Sequence, residues 1–293
     1  MKRKALDFRL YAITAEPYHP GRDLFDVMEA AIRGGADIVQ LRDKETPPDR
    51  LLEKARALRE LTRRYGVPFI VNDYPELALA ADADGVHLGQ EDTPIAKARR
   101  MLGEDKIIGI STHSIEQARE AVRAGADYIG VGPVHPTPTK PGRPAAGLAF
   151  VRQAAAEIPI PWVAIGGITL ENADEVLDAG ARRLCAVSAI VGSPDPEAAA
   201  RAFRARIDAR EAERTEEAGD ADGPADRPIP IRLNGHETKT TARTLGELIE
   251  RHGLKNRRIV AEVDGEIVAR SEWSRTPLKA GMTVELVHFK GGG

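Results

Sequence analysis

The chain has 293 residues, 42% hydrophobic and 30% charged, with a net charge of −3; this is the composition of a soluble globular protein long enough for one large or two ordinary domains. So small a net charge gives no reason to expect nucleic acid as a partner, and no stretch has the length or apolarity of a membrane span or signal peptide. The single cysteine, Cys185 in the run LCAVSAIV, excludes an internal disulfide, fits a reducing cytoplasm and reads as a core residue.

From the N-terminus, apolar runs alternate with amphipathic helical patterns. The predicted strands are Leu10–Thr14, Ile38–Arg42, Phe69–Asp73, Gly85–Gly89, Lys106–Thr112, Tyr128–Val134, Trp162–Gly167 and Leu184–Ser188, separated by segments such as 48–65, 114–124 and 172–179. Three joints repeat a signature: Gly34-Gly35-Ala36-Asp37, Gly125-Ala126-Asp127 and Gly180-Ala181-Arg182 each close a helix and hand over to a buried strand. Eight such units within residues 1–208 predict a compact (β/α)8 TIM barrel. The alternative, an open doubly wound sheet, lacks a glycine-rich turn opening a helix after any strand.

In a barrel the chemistry sits at the carboxyl ends of the strands. Those ends supply Thr14; Gln40, Arg42 and Lys44; Asn72 and Asp73; His87, Gln90 and Asp92; Ser111 and His113; Thr137, Thr139 and Lys140; Gly166 and Gly167; and Ser188. The sixth run leads into PVHPTPTKPG, where prolines hold two hydroxyls and an ammonium in a stiff loop suited to an anion. Arg42, Lys44 and Lys140 together match a diphosphate, although each alone is more often a surface charge. Asp73 and Asp92 match the habit of Mg²⁺, which takes one or two carboxylates plus phosphate oxygens and waters; the other reading is that each caps the following helix. Gly166-Gly167 and Ser188 suit the phosphate site that barrels build from their last loops. His87, His113 and His135 have no zinc-ligand spacing.

Residues 209–228 carry 7 acidic and 3 basic side chains, with no aromatic and almost no large apolar residue. This stretch is expected to extend the preceding helix briefly and then serve as a flexible acidic linker. Residues 229–293 then predict a small α+β domain of the β-grasp type. The hairpin Ile229–Leu233/His236–Thr240 turns at Asn234-Gly235, a helix Leu245–His252 is capped by Thr244, a second hairpin turns at Asp264-Gly265, and Thr283–Phe289 forms the last strand before Lys290-Gly291-Gly292-Gly293.

The ordered motifs Gln40-Leu41-Arg42-Asp43-Lys44, Val71-Asn72-Asp73, His87 to Asp92 (HLGQED), Gly109-Ile110-Ser111, Pro136 to Lys140 (PTPTK) and Ile165-Gly166-Gly167-Ile168 resemble the thiamine phosphate synthase family over about residues 8–208. The resemblance implies joining of an aminopyrimidine methyl diphosphate to a thiazole phosphate with release of diphosphate. It further implies that Gln40, Leu41, Arg42, Asp43, Lys44, Asn72, Ser111 and Lys140 bind the pyrimidine diphosphate. Asp73 and Asp92 would hold Mg²⁺, and Thr137, Pro138, Thr139, Gly167, Val187 and Ser188 would bind the thiazole phosphate. Arg42, Lys44, Ser111 and Lys140 would carry the catalytic work. Tyr74 stands where some members carry a second aspartate. A thiazole tautomerase and a non-catalytic phosphate-binding barrel are the other readings; the intact cationic set and both carboxylates argue against the first.

The stretches RLNG, EVDGEIVARSEW and VHFKGGG resemble the thiamine sulfur carrier, Asp264 replacing the usual asparagine. That implies a Gly293 carboxylate converted to a thiocarboxylate, with an adenylating enzyme, a sulfur donor and a thiazole synthase as partners. A molybdopterin-type carrier or a conjugation tag is the alternative for this domain.

Overall fold

The computed structural model describes residues 6–137, 144–221, 228–254, 257 and 259–288. The chain divides into two compact units, Met1–Ala212 and Glu213–Gly293.

In the first unit, eight parallel strands among the described residues close into a barrel in sequence order: β1 (Leu10–Ile13), β2 (Ile38–Leu41), β3 (Phe69–Asn72), β4 (Gly85–Leu88), β5 (Ile107–Thr112), β6 (Tyr128–Val131), β7 (Trp162–Ile165) and β8 (Leu184–Cys185). The following helices are α1 (Leu24–Arg33), α2 (Pro48–Tyr65), α3 (Pro75–Ala80), α4 (Ile95–Leu102), α5 (Ile115–Arg123), α6 (Gly147–Glu157), α7 (Ala173–Asp178), α8 (Val187–Val191) and α9 (Pro196–Ala221). The predicted (β/α)8 barrel is therefore the observed fold. None of the helices described is long and apolar enough to cross a membrane.

Strand alternation divides the core in two. Leu10, Val39, Leu41, Val71, Val86 and Ile108 pack outward against the helices, while Tyr11, Ile13, Ile38, Ile70, Tyr128, Val163 and Cys185 fill the barrel over Phe8. Two of the repeated joints, and Asp84 in the equivalent place ahead of β4, have a function at the amino ends. Asp37 accepts the backbone N–H groups of Arg9 and Leu10, Asp84 that of Phe69, and Asp127 that of Ile108. Each of these aspartates also pairs with an arginine, Arg204, Arg59 or Arg99 respectively. An acidic residue ahead of β2, β4 and β6 thus pins the start of the strand before it with charge-assisted hydrogen bonds. The third joint carries Arg182 in that place and has no such staple.

Two predicted strands stop three residues early. β8 ends at Cys185 once its pairs with β1 and β7 are made, and Val187 and Ser188 belong to α8 rather than to the strand. β6 ends at Val131, where Gly132 and Pro133, joined by a cis peptide, turn the chain across β7; Val134 and His135 then donate to the carbonyls of Ile165 and Gly166. The stretch expected as a flexible linker also differs, since α9 runs on to Ala221. Alanine, glutamate and arginine dominate there, and their helix propensity outweighs the lack of an apolar face.

In the second unit, β9 (Ile229–Leu233), β10 (His236–Thr240), α10 (Leu245–Arg251), β11 (Ile259–Val263), β12 (Glu266–Val268) and β13 (Thr283–His288) form a sheet in the order β10-β9-β13-β11-β12. β13 lies parallel to β9 and antiparallel to β11, a mixed sheet that joins the two predicted hairpins and bears out the β-grasp expectation. Asn234-Gly235 and Asp264-Gly265 all have positive φ, as two-residue hairpin turns require. Asp264 fits at φ 48°, and its carboxylate accepts the Thr283 N–H at 2.7 Å. Ile231, Leu245, Leu248, Ile249, Trp273, Val284 and Leu286 make the core, and Thr244 caps α10 through the Glu247 N–H.

Candidate active site

The cleft at the carboxyl ends of β2–β5 has a volume of about 710 Å³; Arg42, Lys44, Asn72, Asp73, Asp92 and Ser111 line it together with Gln90, His113 and Gln117. Two smaller pockets adjoin it. One of about 80 Å³ is lined by Ser111, Thr137, Gly167, Val187 and Ser188; the other, of about 70 Å³, by Tyr11, Gln40, Arg42, Asn72, Ser111 and Val187. Ser111 lines all three spaces. Gln40, Arg42, Lys44, Asn72 and Ser111, expected to bind the pyrimidine diphosphate, and Thr137, Gly167, Val187 and Ser188, expected to bind the thiazole phosphate, thus fall into adjoining cavities at one rim; Leu41 and Asp43 do not. Pro138, Thr139 and Lys140 lie outside the described residues.

Backbone conformation places the acidic pair. Asp73 follows β3 with φ 68°, and its amide donates to the His87 carbonyl at 2.8 Å. Asp92 is held by the Gly89 N–H, which donates to its carboxylate at 2.6 Å. Neither caps a helix: α3 starts from Tyr74 and α4 from Pro94, without a side-chain cap. Burial drives the Asp73 carboxyl above its ordinary range, and the adjacent Asp92 carboxylate drives it further, with Lys44 at 3.6 Å opposing them. Two crowded carboxylates facing a polar cleft are the donor set a hard divalent cation needs when phosphate oxygens and water complete its shell. Among the described residues no cluster of three or more His, Cys, Asp or Glu side chains provides an all-protein cage.

Two residues of the first motif are turned away from the cleft. Leu41 packs outward among the helices because it alternates with Gln40 along β2, which leaves its backbone alone near the cleft. Asp43 accepts the Glu45 and Thr46 backbone N–H groups and the Lys54 ammonium, which also pairs with Glu16. Burial pushes the Asp43 carboxyl up, but the bonds from Lys54 and Thr46 outweigh it and hold the group well below the usual carboxylate range. Asp43 is therefore the strut of the turn that presents Arg42 and Lys44. Thr14 braces the same turn, exchanging hydrogen bonds with the Arg42 backbone at 2.9 and 3.0 Å.

Lys54→Met is expected to destabilise the chain by about 2 kcal/mol at pH 7, measured by urea unfolding, because it strips the partner from a largely buried carboxylate. The folded Asp43 is depressed, so the pair's contribution is complete above the unfolded value of about 3.9 and disappears as the pH falls through the folded one. The difference between Lys54→Met and the parent should accordingly shrink below about pH 4; a pH-independent difference would contradict the assignment.

Gly166 and Gly167 have φ 101° and 64°, but a crossing chain segment demands them as well. A Cβ on Gly167 would lie 2.6 Å from the Pro136 carbonyl, and one on Gly166 would lie 2.5 Å from Pro133. The pair was expected to clear room for phosphate; it first clears room for residues 133–136.

Sequence reasoning missed Tyr11, Tyr128 and the connecting role of His87. Tyr11 and Tyr128 are fully buried inside the barrel, where their hydroxyls meet at 2.8 Å, and Tyr128 and Ser111 lie 2.9 Å from the two ring nitrogens of His87. Strands buried on both faces read as continuous apolar runs, so no alternation marks which side faces inward.

Residues 10–190 match the family described as thiamine monophosphate synthase, and residues 231–293 match the ThiS family. The chain is 54% identical over 206 residues to a thiamine-phosphate synthase of Halalkalibacterium halodurans, covering 70% of this chain and 97% of that protein. It is 51% identical over 201 residues to one from Thermus thermophilus, covering 68% and 97%. Among solved structures, a thiamine phosphate pyrophosphorylase from Pyrococcus furiosus is similar at a TM-score of 0.64 and 39% identity, covering 69% of this chain and 96% of that one. A 3-hexulose-6-phosphate synthase, at 21% identity and a TM-score of 0.52 over 68% of this chain and the whole of its own, shares the fold alone.

Proposed function

Because this chain belongs to the thiamine monophosphate synthase family, we propose that its barrel joins 4-amino-2-methyl-5-(diphosphooxymethyl)pyrimidine to thiazole phosphate, while its C-terminal domain carries sulfur for thiazole formation. The observation that carries the first half is the convergence of Arg42, Lys44, Asn72, Asp73, Asp92 and Ser111 on one cleft beside the pocket of Thr137, Gly167 and Ser188.

The reaction breaks the bond between the pyrimidine methylene carbon and the diphosphate oxygen, whose electron pair leaves with the diphosphate. The thiazole nitrogen then gives its lone pair to that carbon. An electron-rich aminopyrimidine tolerates the intervening cation, so dissociation precedes attack. Arg42 and Lys44 oppose the charge that grows on the leaving group, the electrostatic contribution that commonly dominates enzymic acceleration. Lys140 joins them on the strength of the family motif. Ser111 and Asn72, at the junction of cleft and inner pocket, orient the substrate, and the apolar side chains of Ile13, Val163 and Ile165 limit water there. Asp73 and Asp92 would hold Mg²⁺, which when bound supplies further positive charge to phosphate oxygens.

Incubation of the full chain with both substrates and Mg²⁺ should release diphosphate and form thiamine phosphate. Absence of both products would reject the assignment, and isomerisation of the thiazole alone would favour a tautomerase.

For the second domain, Gly293 would be activated as an acyl-adenylate and converted to a thiocarboxylate; it lies outside the described residues, as does the rest of the tail beyond His288. An adenylating enzyme, a sulfur donor and a thiazole synthase are its partners in this reading. After incubation with ATP, a cognate adenylating enzyme and a sulfur donor, intact-mass measurement should find one oxygen exchanged for sulfur. Removal of Gly292 and Gly293 should abolish that exchange and leave barrel turnover unchanged.

A further inference from the structure

Below the cleft, five polar side chains form one unbroken line through the barrel. The Gln40 amide nitrogen donates to the Tyr11 hydroxyl at 2.9 Å, Tyr11 and Tyr128 share a hydrogen bond of 2.8 Å, Tyr128 meets His87 Nδ1 at 2.9 Å, and His87 Nε2 meets Ser111 Oγ at 2.9 Å. Gly109 makes room for the line: a Cβ there would sit 2.1 Å from the Tyr128 ring. Burial raises both phenols far above their ordinary range, so each keeps its proton.

The requirement that every buried O–H find an acceptor fixes the direction of each bond. Tyr11 accepts from Gln40, so its own proton must go to Tyr128; otherwise it is orphaned in a dry core, where an unmade hydrogen bond is expensive. The Tyr128 proton must then go to His87 Nδ1. An Nδ1 that accepts leaves the imidazole proton on Nε2, where it is donated to Ser111 Oγ. A proton on Nδ1 would instead turn Tyr128 back onto Tyr11 and orphan the Tyr11 proton.

We propose that Tyr11, Tyr128 and His87 are positioning residues: with Gln40 as donor at one end, they occupy the acceptor side of Ser111 Oγ and aim its proton out into the cleft as a fixed donor to an oxygen of the diphosphate. The choice of that oxygen rests on the function proposed above; the direction of the line does not. Ser111 borders all three cavities, so its proton emerges where cleft and pockets meet. A serine held in this way needs no reorientation as charge develops on the leaving group, which is the condition for an effective electrostatic donor.

The ring state of His87 tests the direction without any substrate. In ligand-free, full-length protein labelled with ¹⁵N-histidine at neutral pH, the His87 resonances, identified by their loss in His87→Gln, should report protonation at Nε2 and a bare Nδ1. Protonation at Nδ1, or averaging between the two tautomers, would overturn the proposal, since Ser111 would then donate inward. Kinetics give a second reading. Tyr128→Phe should lower kcat roughly tenfold with little change in KM for the diphosphate substrate, and Ser111→Ala added to it should cost no more than about twofold further. Additive losses would mean that the two residues act separately and would also overturn it. Failure of the parent protein to form thiamine phosphate would retire the proposed reaction alone, because the tautomer is read in its absence.

Discussion

Asp92→Asn is expected to reduce turnover by about 10²- to 10³-fold while leaving the fold intact. Asparagine keeps an oxygen to accept the Gly89 N–H, so the loop that carries residue 92 retains its 2.6 Å anchor. What disappears is a negative charge beside Asp73, whose carboxyl is held above its ordinary range by burial and by that same neighbour. Removing one of two crowded carboxylates relieves repulsion, and urea unfolding should therefore find the variant as stable as the parent or slightly more so. The combination of lost turnover with kept or improved stability identifies a site arranged for a cation and an anion rather than for folding. Turnover within about threefold of the parent over a Mg²⁺ titration would remove Asp92 from the proposed metal site.

The largest expected effect on stability comes from Gly132→Ala. A Cβ at that position would stand 1.9 Å from the Ile165 carbonyl oxygen, a backbone atom of β7 that cannot swing aside. Relief requires β6 and β7 to separate where Val131 pairs with Ala164. We expect a loss of about 3 kcal/mol, which for a domain of this size lowers Tm by roughly 10 °C in a thermal melt. Gly130→Ala provides the contrast on the same strand. Its Cβ would find the nearest atoms at 3.7 Å, an ordinary contact, so its effect on Tm should be small. Equal shifts for the two variants would refute this account of β6.

The agreement between sequence and structure in this barrel has a physical origin. Most predicted strands end at a residue whose chemistry interrupts an apolar run, such as Thr14, Arg42 or Asp73, so those ends are written in residue type; the sixth run, read through to Val134, is not among them. The outward and inward faces are not written in this way. Gln40 in a run of apolar neighbours gave no sign that it would meet Tyr11, and Leu41 and Asp43 sit inside a binding motif while their side chains point elsewhere. The eighth run, Leu184–Ser188, is uniformly apolar or small up to its last residue; only pairing with β1 and β7 decides that it stops after Cys185. At the candidate site, the residues of the cleft were legible because charged and amide groups at strand ends have few structural uses. The supports were not, since Lys54 and Thr14 look like any helix surface residue and any strand-end hydroxyl. Helix α9 outran expectation for a further reason: an acidic, alanine-rich stretch is compatible with both an open tether and a helix, and composition alone does not decide between them.

The position of β13 in the small sheet has a mechanical consequence. The strand that leads toward the C-terminal tail is flanked on both sides, by β9 and by β11, and it is further tied through Asn234, whose backbone N–H donates to the Val284 carbonyl and whose side-chain oxygen accepts the Leu286 N–H at 2.7 Å. A force drawn along β13 toward the C-terminus would load its bonds to β11 and β9 together, in shear. A tail hung from an outer strand would instead unzip one bond at a time. The sheet is thus arranged to share such a load between two neighbouring strands rather than leave it to one.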